Sequence, residues 1–173
     1  MISVRETDED LRWLQELIDR SFEGAGAHLR SIFRPERRLT ASGFVSALSG
    51  PRQAAVATVS ARGEPRVAPV DVVVLRGRFH FGTSAAAARI RHLRARPAVS
   101  LTYFERDELA VLVHGKAVLV EPSSPGFRDV ESAFLTTYGG EPAAEADGVV
   151  YVRIEPRAVL TFDRRGEMAS NGR

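Results

Sequence analysis

The sequence predicts a mainly β protein: a small barrel of antiparallel strands preceded by a helical N-terminal extension. Three observations point there. Residues 1–49 carry helix-period apolar stripes, and from residue 53 the pattern changes to about seven short β-branched runs. Most of those runs follow one another across short turns, several containing glycine. Hairpins in near-continuous succession favour a closed barrel over an open sheet.

The chain of 173 residues is long enough for one domain with a sizeable core. It has no cysteine, which excludes disulfides, thiolate catalysis and Cys-based zinc or iron–sulfur sites together. No signal-peptide pattern opens it and no apolar run is long enough to span a bilayer, so a cytoplasmic protein without a membrane partner is expected. The net charge of +2 is too small for a polycation. Basic clusters at 34–38 and 89–96 lack interleaved aromatics, so no nucleic-acid partner is expected. Lys116 is the one lysine, a coding bias that makes an arginine in a lysine position uninformative.

In order, residues 8–22 place Leu11, Leu14, Leu17, Ile18 and Phe22 on one helical face, and Gly24 and Gly26 break that helix. A short segment at 28–33 stops at Pro35. Thr40 caps a further helix ending at Gly50-Pro51. Strands follow at 54–60, 66–75 and 78–82, then a helix over 84–96. Pro69, inside the second strand, demands a bulge or an edge. Strands at 98–104 and 109–120 precede a helix over 125–138, stopped by Gly139-Gly140. Two last strands, at 149–154 and 158–162, flank a turn at Glu155-Pro156-Arg157. The chain thus divides into an extension at 1–49, a barrel at 50–163 and a tail at 164–173 expected to be frayed.

Chemistry is best placed at residues 81–89, Phe-Gly-Thr-Ser-Ala-Ala-Ala-Ala-Arg. A strand ends in Thr83 and Ser84 and a helix follows. The first turn of a helix offers unpaired N–H groups and the positive end of its dipole to an anion. Ser84 is a suitable N-cap, the alanines keep the backbone approachable, and the Arg89 side chain leans back toward the same place. The same residues also describe a capped amphipathic helix with solvated arginines. Asp71 shares a strand face with Val67, Pro69 and Val73 and needs a donor, from an arginine or a ligand cleft. His114 is either a surface-strand histidine or a substrate-side proton relay. Histidines 28, 80, 92 and 114 show no metal-ligand spacing, and no metal is expected. Trp13 and Leu14 read as packing residues against the barrel or a partner subunit.

One set of motifs resembles the pyridoxamine 5'-phosphate oxidase-like family. Its pieces here are Ala57-Thr58-Val59, Gly63-Glu64-Pro65, Arg66-Val67-Ala68-Pro69-Val70, Thr83, Arg89 and Arg96-Pro97. His114-Gly115-Lys116-Ala117 and residues 151–162 are similar to the family's later strands, so the likeness covers 40–163. It implies an FMN-binding split β-barrel and a homodimer with a cofactor cleft at each interface. Thr83, Ser84 and Arg89 would hold the phosphate, and the strand through Val67, Ala68, Pro69 and Val70 would pass its backbone along the flavin ring. Arg91 matches a basic position of deazaflavin-binding relatives. The implied function is an FMN-dependent oxidoreductase acting on a small molecule, the alternatives being a deazaflavin-dependent reductase and a non-enzymatic flavin or haem carrier. No catalytic residue is implied. Ala68 and Val73 stand where the vitamin-synthesising enzymes carry Arg and Lys, which argues against oxidation of pyridoxamine phosphate itself.

Overall fold

A computed structural model of the chain describes residues 6–139 and 148–165. The extension forms α1 (Asp8–Glu23), α2 (Ala27–Ile32), a 3-10 turn at Pro35–Arg37 and α3 (Ala41–Ala47). Thr7 and Asp10 close a reciprocal capping box at the start of α1. Thr40 caps α3 as expected, its Oγ1 accepting from the Gly43 N–H at 3.1 Å. Leu14, Leu17, Ile18 and Phe22 of α1 are buried in the same core as the strands, so the extension is part of the domain.

The strands are β1 (Arg52–Val59), β2 (Pro65–Leu75), β3 (Arg78–Ser84), β4 (Ala98–Glu105), β5 (Leu109–Val120) and β6 (Val149–Asp163). Helix α4 (Ala88–Ala95) lies between β3 and β4, and α5 (Phe127–Tyr138) between β5 and β6. All pairings are antiparallel, and the strands close in the order β1-β2-β3-β6-β5-β4. The closing seam is thin: β4 meets β1 through three residue pairs, centred on Val56 and Leu101. Between β2 and β3, Arg76 and Gly77 both take positive φ, as a tight two-residue hairpin requires.

Three expectations are corrected. The final hairpin is one continuous strand, because Glu155-Pro156-Arg157 makes a bulge and not a turn. His114 pairs with Ala158 and Gly115 with Pro156, so Arg157 is the extra residue. Pro156 is tolerated because β6 pairs with β3 only as far as Arg153. Second, Ser84 ends β3, and α4 starts four residues later with Ala87 at its N-cap. Third, Arg164 and Arg165 are tied down, the Arg164 N–H donating to the Glu108 carbonyl at 2.7 Å and Arg165 pairing with Asp163; residues 166–173 lie outside the described residues.

Beyond Arg153 the second edge of β6 has no neighbouring strand among the described residues, and the extension supplies partners there. The Val159 N–H donates to Ser21 Oγ at 2.9 Å, and Thr161 Oγ1 accepts from the Leu39 N–H at 3.0 Å. On another face, α5 lays Phe127, Val130 and Phe134 against Val73 and Tyr151. Its Tyr138 hydroxyl sits between β1 and β2, 2.7 Å from the Arg52 carbonyl and 2.8 Å from that of Val72.

At the bulge, a Cβ on Gly115 would run into the Glu155 carbonyl oxygen and stand 2.9 Å from both its carbon and Pro156 Cα. Backbone on both sides cannot yield as a side chain would. Gly115→Ala is expected to lower unfolding stability by about 3 kcal/mol. Urea unfolding measures it, and a loss under about 1 kcal/mol would mean the strands part easily.

Candidate functional site

Where α4 crosses the open ends of β1 and β2 the barrel surface is concave. Val56 and Thr58 share one face of β1 by the two-residue period with Ser60 just past its end, and Ala88, Arg89, His92 and Arg96 recur at helical spacing beside them. With the β1–β2 turn and the start of β2 they line a cleft of about 650 Å³, within the ~300–1,000 Å³ usual for cofactor pockets. Ile90 and Leu93 fix α4 from the opposite side, buried in the barrel core. The Thr58 hydroxyl and His92 Nδ1, 3.0 Å apart, join the helix to β1 inside the cleft.

The cleft is lopsided in charge. Arg62, Arg66, Arg89, Arg91 and Arg96 face one carboxylate, Glu64, which is already paired with Arg66. Arg91 turns back to donate to the Ala86 carbonyl at 3.1 Å, and Arg96 donates to that of Ala61 at 3.2 Å. Arg89 differs. It is half-buried, has no hydrogen bond or ion pair among the described residues, and burial alone pulls its pKa below the ordinary value. The N-terminus of α4 is equally bare. No side chain caps it, and the Ala88 and Arg89 N–H groups have no partner among the described residues.

The second feature is an open strand edge. β2 pairs with β3 only from Val72 onward, so residues 65–71 have β1 on one side and, among the described residues, no strand on the other. The Val72 N–H and carbonyl point toward β1, where Tyr138 meets them. By alternation the peptide groups of Val67, Pro69 and Asp71 point to the open edge. The missing N–H of Pro69 is thus lost from an edge, as its position in the sequence demands. The Val67 side chain beside it is 68% exposed.

Of the candidates read from sequence, Val67, Ala68, Arg89 and Arg91 line this cleft. Pro69 sits next along the open edge. Val70 does not face it: its side chain is in the barrel core and it pairs with Ala54. Thr83 and Ser84 are outside the lining. Thr83 is buried opposite Val150, and Ser84 Oγ accepts from the Ala86 N–H at 3.2 Å, closing a turn instead of capping a helix. Asp71 takes its hydrogen bond from Gln53, not from an arginine or the cleft. His114 is exposed on β5 beside Ser100 Oγ, 2.8 Å away. Sequence reading missed Thr58, His92, Arg62 and Arg96. A polar Thr58 on the buried face of an apolar strand, and the spacing 89–92–96, were the available signals.

Comparison with known proteins places the chain. The family model of pyridoxamine 5'-phosphate oxidase matches residues 43–164, and the chain belongs to that family. Its split-barrel fold is shared with a conserved hypothetical protein of Mycobacterium tuberculosis at 22% identity and TM-score 0.66, over 78% of this chain and 91% of that one. It is similar to an F420 reductase at 23% identity and TM-score 0.54, over 66% of this chain and 93% of the other. A FAD-binding protein of Mesorhizobium loti aligns at 22% identity and TM-score 0.56, over 72% and 95% of the two chains. No match is found among curated proteins. Among the described residues no helix is long and apolar enough to cross a membrane.

Away from this cleft, His80 on β3 is buried, with Nδ1 3.1 Å from the Arg78 carbonyl. Burial first, and the nearby arginines after it, lower its pKa from 6.5 to about 4. Between those values the unfolded chain takes a proton that the folded protein refuses. Stability therefore falls as pH drops from about 6.5 toward about 4, by on the order of 3 kcal/mol, and this group adds no further loss below that. Urea midpoints at pH steps across the window should fall in the parent and flatten in His80→Gln; parallel slopes would refute the assignment.

Proposed function

We propose that the cleft holds a flavin-type cofactor and that the protein is an oxidoreductase using FMN. The observation that carries this reading is Arg89, a half-buried cation with no partner among the described residues, beside a helix N-terminus that no described side chain caps. A buried charge left alone costs stability, and an anion supplied by a ligand removes that cost. The residues fit such a group: Arg89 and the free α4 amides for its phosphate, Val56 and Ala68 as apolar wall, and the open Val67 peptide for a ring edge. When bound, the flavin supplies hydride transfer itself. The chain's own residues bind, orient and exclude water.

A deazaflavin reading has its own support. Arg62, Arg91 and Arg96 leave the cleft with more positive charge than one phosphate needs, which suits a longer acidic tail; one of the similar structures is an F420 reductase. A homodimer completes the reading. The exposed Val67 and Phe104 are apolar surface of the kind a second copy covers.

Spectroscopic titration with FMN and with the deazaflavin tests this. One of them is expected to bind at micromolar concentration, and Arg89→Ala to weaken it by about a hundredfold, as loss of a charge-assisted contact would. The variant should fold at least as stably as the parent, because an unpaired cation is removed and no partner among the described residues is lost. Failure of both to bind, or unchanged affinity in the variant, overturns the proposal; turnover with a hydride donor and acceptor separates the enzyme from a carrier.

A further inference from the structure

A second cleft shares no residue with the first. It lies where the β2–β3 hairpin and β6 meet the start of α5, and it encloses about 270 Å³, below the ~300–1,000 Å³ of cofactor pockets. Arg76, Arg78 and Arg153 line it with two carboxylates, Asp129 and Glu155, leaving one positive charge in excess. Arg76 pairs with Asp129 at 3.3 Å, while Arg78 and Arg153 share Glu155. At its rim, Gly126 precedes α5 in left-handed conformation with no side-chain cap, and the Arg128 and Asp129 N–H groups have no partner among the described residues. A helix start of this kind attracts anions.

The independent observation is His80. It lines the cleft while only 3% exposed. Its Nδ1 faces a carbonyl, which only accepts, so Nδ1 carries the proton. Nε2 is then a bare lone pair, without a partner among the described residues. A cleft that is positive overall and also presents an unpartnered acceptor, on a ring otherwise buried, asks for a ligand with both negative oxygens and a hydroxyl.

We propose that this cleft is a binding site for a small oxyanion that carries its own hydroxyl, such as hydrogen phosphate or an α-hydroxycarboxylate. The oxygens meet Arg76, Arg153 and the α5 amides, and the hydroxyl donates to His80 Nε2. Sulfate matches phosphate in size and shape but has no hydroxyl at neutral pH, so the site discriminates between them. Lactate and acetate differ in the same way and separate the second source from the first.

The protein contains its own reporter. Trp13 is the sole tryptophan, and the Arg78 guanidinium stacks 3.9 Å above its ring. Neither residue lines the first cleft. The experiment is titration of Trp13 fluorescence in the full chain at neutral pH and constant ionic strength, with phosphate, sulfate, lactate and acetate. A saturable change with phosphate or lactate is expected, tighter than with its hydroxyl-free counterpart by about tenfold, the scale of one buried hydrogen bond. Arg153→Gln should weaken it by a similar factor, and His80→Phe should abolish the preference. If His80→Phe does not fold, the sulfate and acetate arms decide alone. No saturable change at millimolar concentrations, or equal response to each pair, overturns the proposal.

Discussion

The molecule depends on how closely β5 and β6 approach at Gly115. These are its two longest strands, and every other barrel strand is joined to them directly or through one neighbour. At the bulge the two backbones come nearer than any side-chain-bearing residue allows. The extra residue, Arg157, bends β6; its first part pairs with both β3 and β5, and its second part pairs with β5 alone. That second part would be an open edge. The helical extension covers it: Ser21 Oγ accepts from the Val159 N–H where a strand's carbonyl would, and the Leu39 N–H donates to the Thr161 hydroxyl. Glycine at 115 and helices at the N-terminus are therefore two parts of one solution to barrel closure.

The first cleft arises from a similar mismatch at the other neighbour of β3. β2 outruns its pairing with β3, which leaves the peptide groups of residues 65–71 facing outward. Helix α4 cannot pair with that edge, but Ile90 and Leu93 anchor it beside β1, and the Thr58–His92 contact sets its distance. The result is an open polar strand edge opposite a bare helix start. Neither is satisfied by the described residues of this protein, which is why the place reads as a ligand site and not as incomplete packing.

Local chemistry made much of this legible. The Thr40 cap, the glycine stop at the end of α5 and the edge position of Pro69 each follow from one residue and its immediate neighbours. The errors arose where a distant contact decided. Glu155-Pro156-Arg157 has turn composition, but the strand continues because Gly115, forty residues earlier, receives the kink. Ser84 has the right chemistry for a cap, yet β3 holds it through its pairing with Val149, and the helix begins after the alanines. Arg89 was legible because an arginine early in a helix reaches its N-terminus. Thr58 and His92 were not, since nothing local to either indicates the other. The charge surplus was legible only in part: Arg89, Arg91 and Arg96 belong to the basic cluster at 89–96, whereas the approach of Arg62 and Arg66 depends on how the β1–β2 turn folds against α4.

The two arginine clusters show how burial and pairing divide a protein's charges by role. Arg78 and Arg153 share Glu155, and Arg78 also lies on Trp13, so each has a protein carboxylate and the Arg78–Glu155 pair ties β3 to β6. Holding Glu155 between two guanidiniums keeps its carboxyl below the usual range despite burial, so the network stays ionised near neutral pH. Arg89 has none of this. Its environment takes water from the guanidinium without returning an anion, a modest instability retained in the folded chain. A ligand that binds only the folded form would recover it, and folding and binding are then linked through one side chain. The same fold thus uses one residue type in two ways, paired where β3 meets β6 and left without a partner among the described residues where the proposed cofactor would enter.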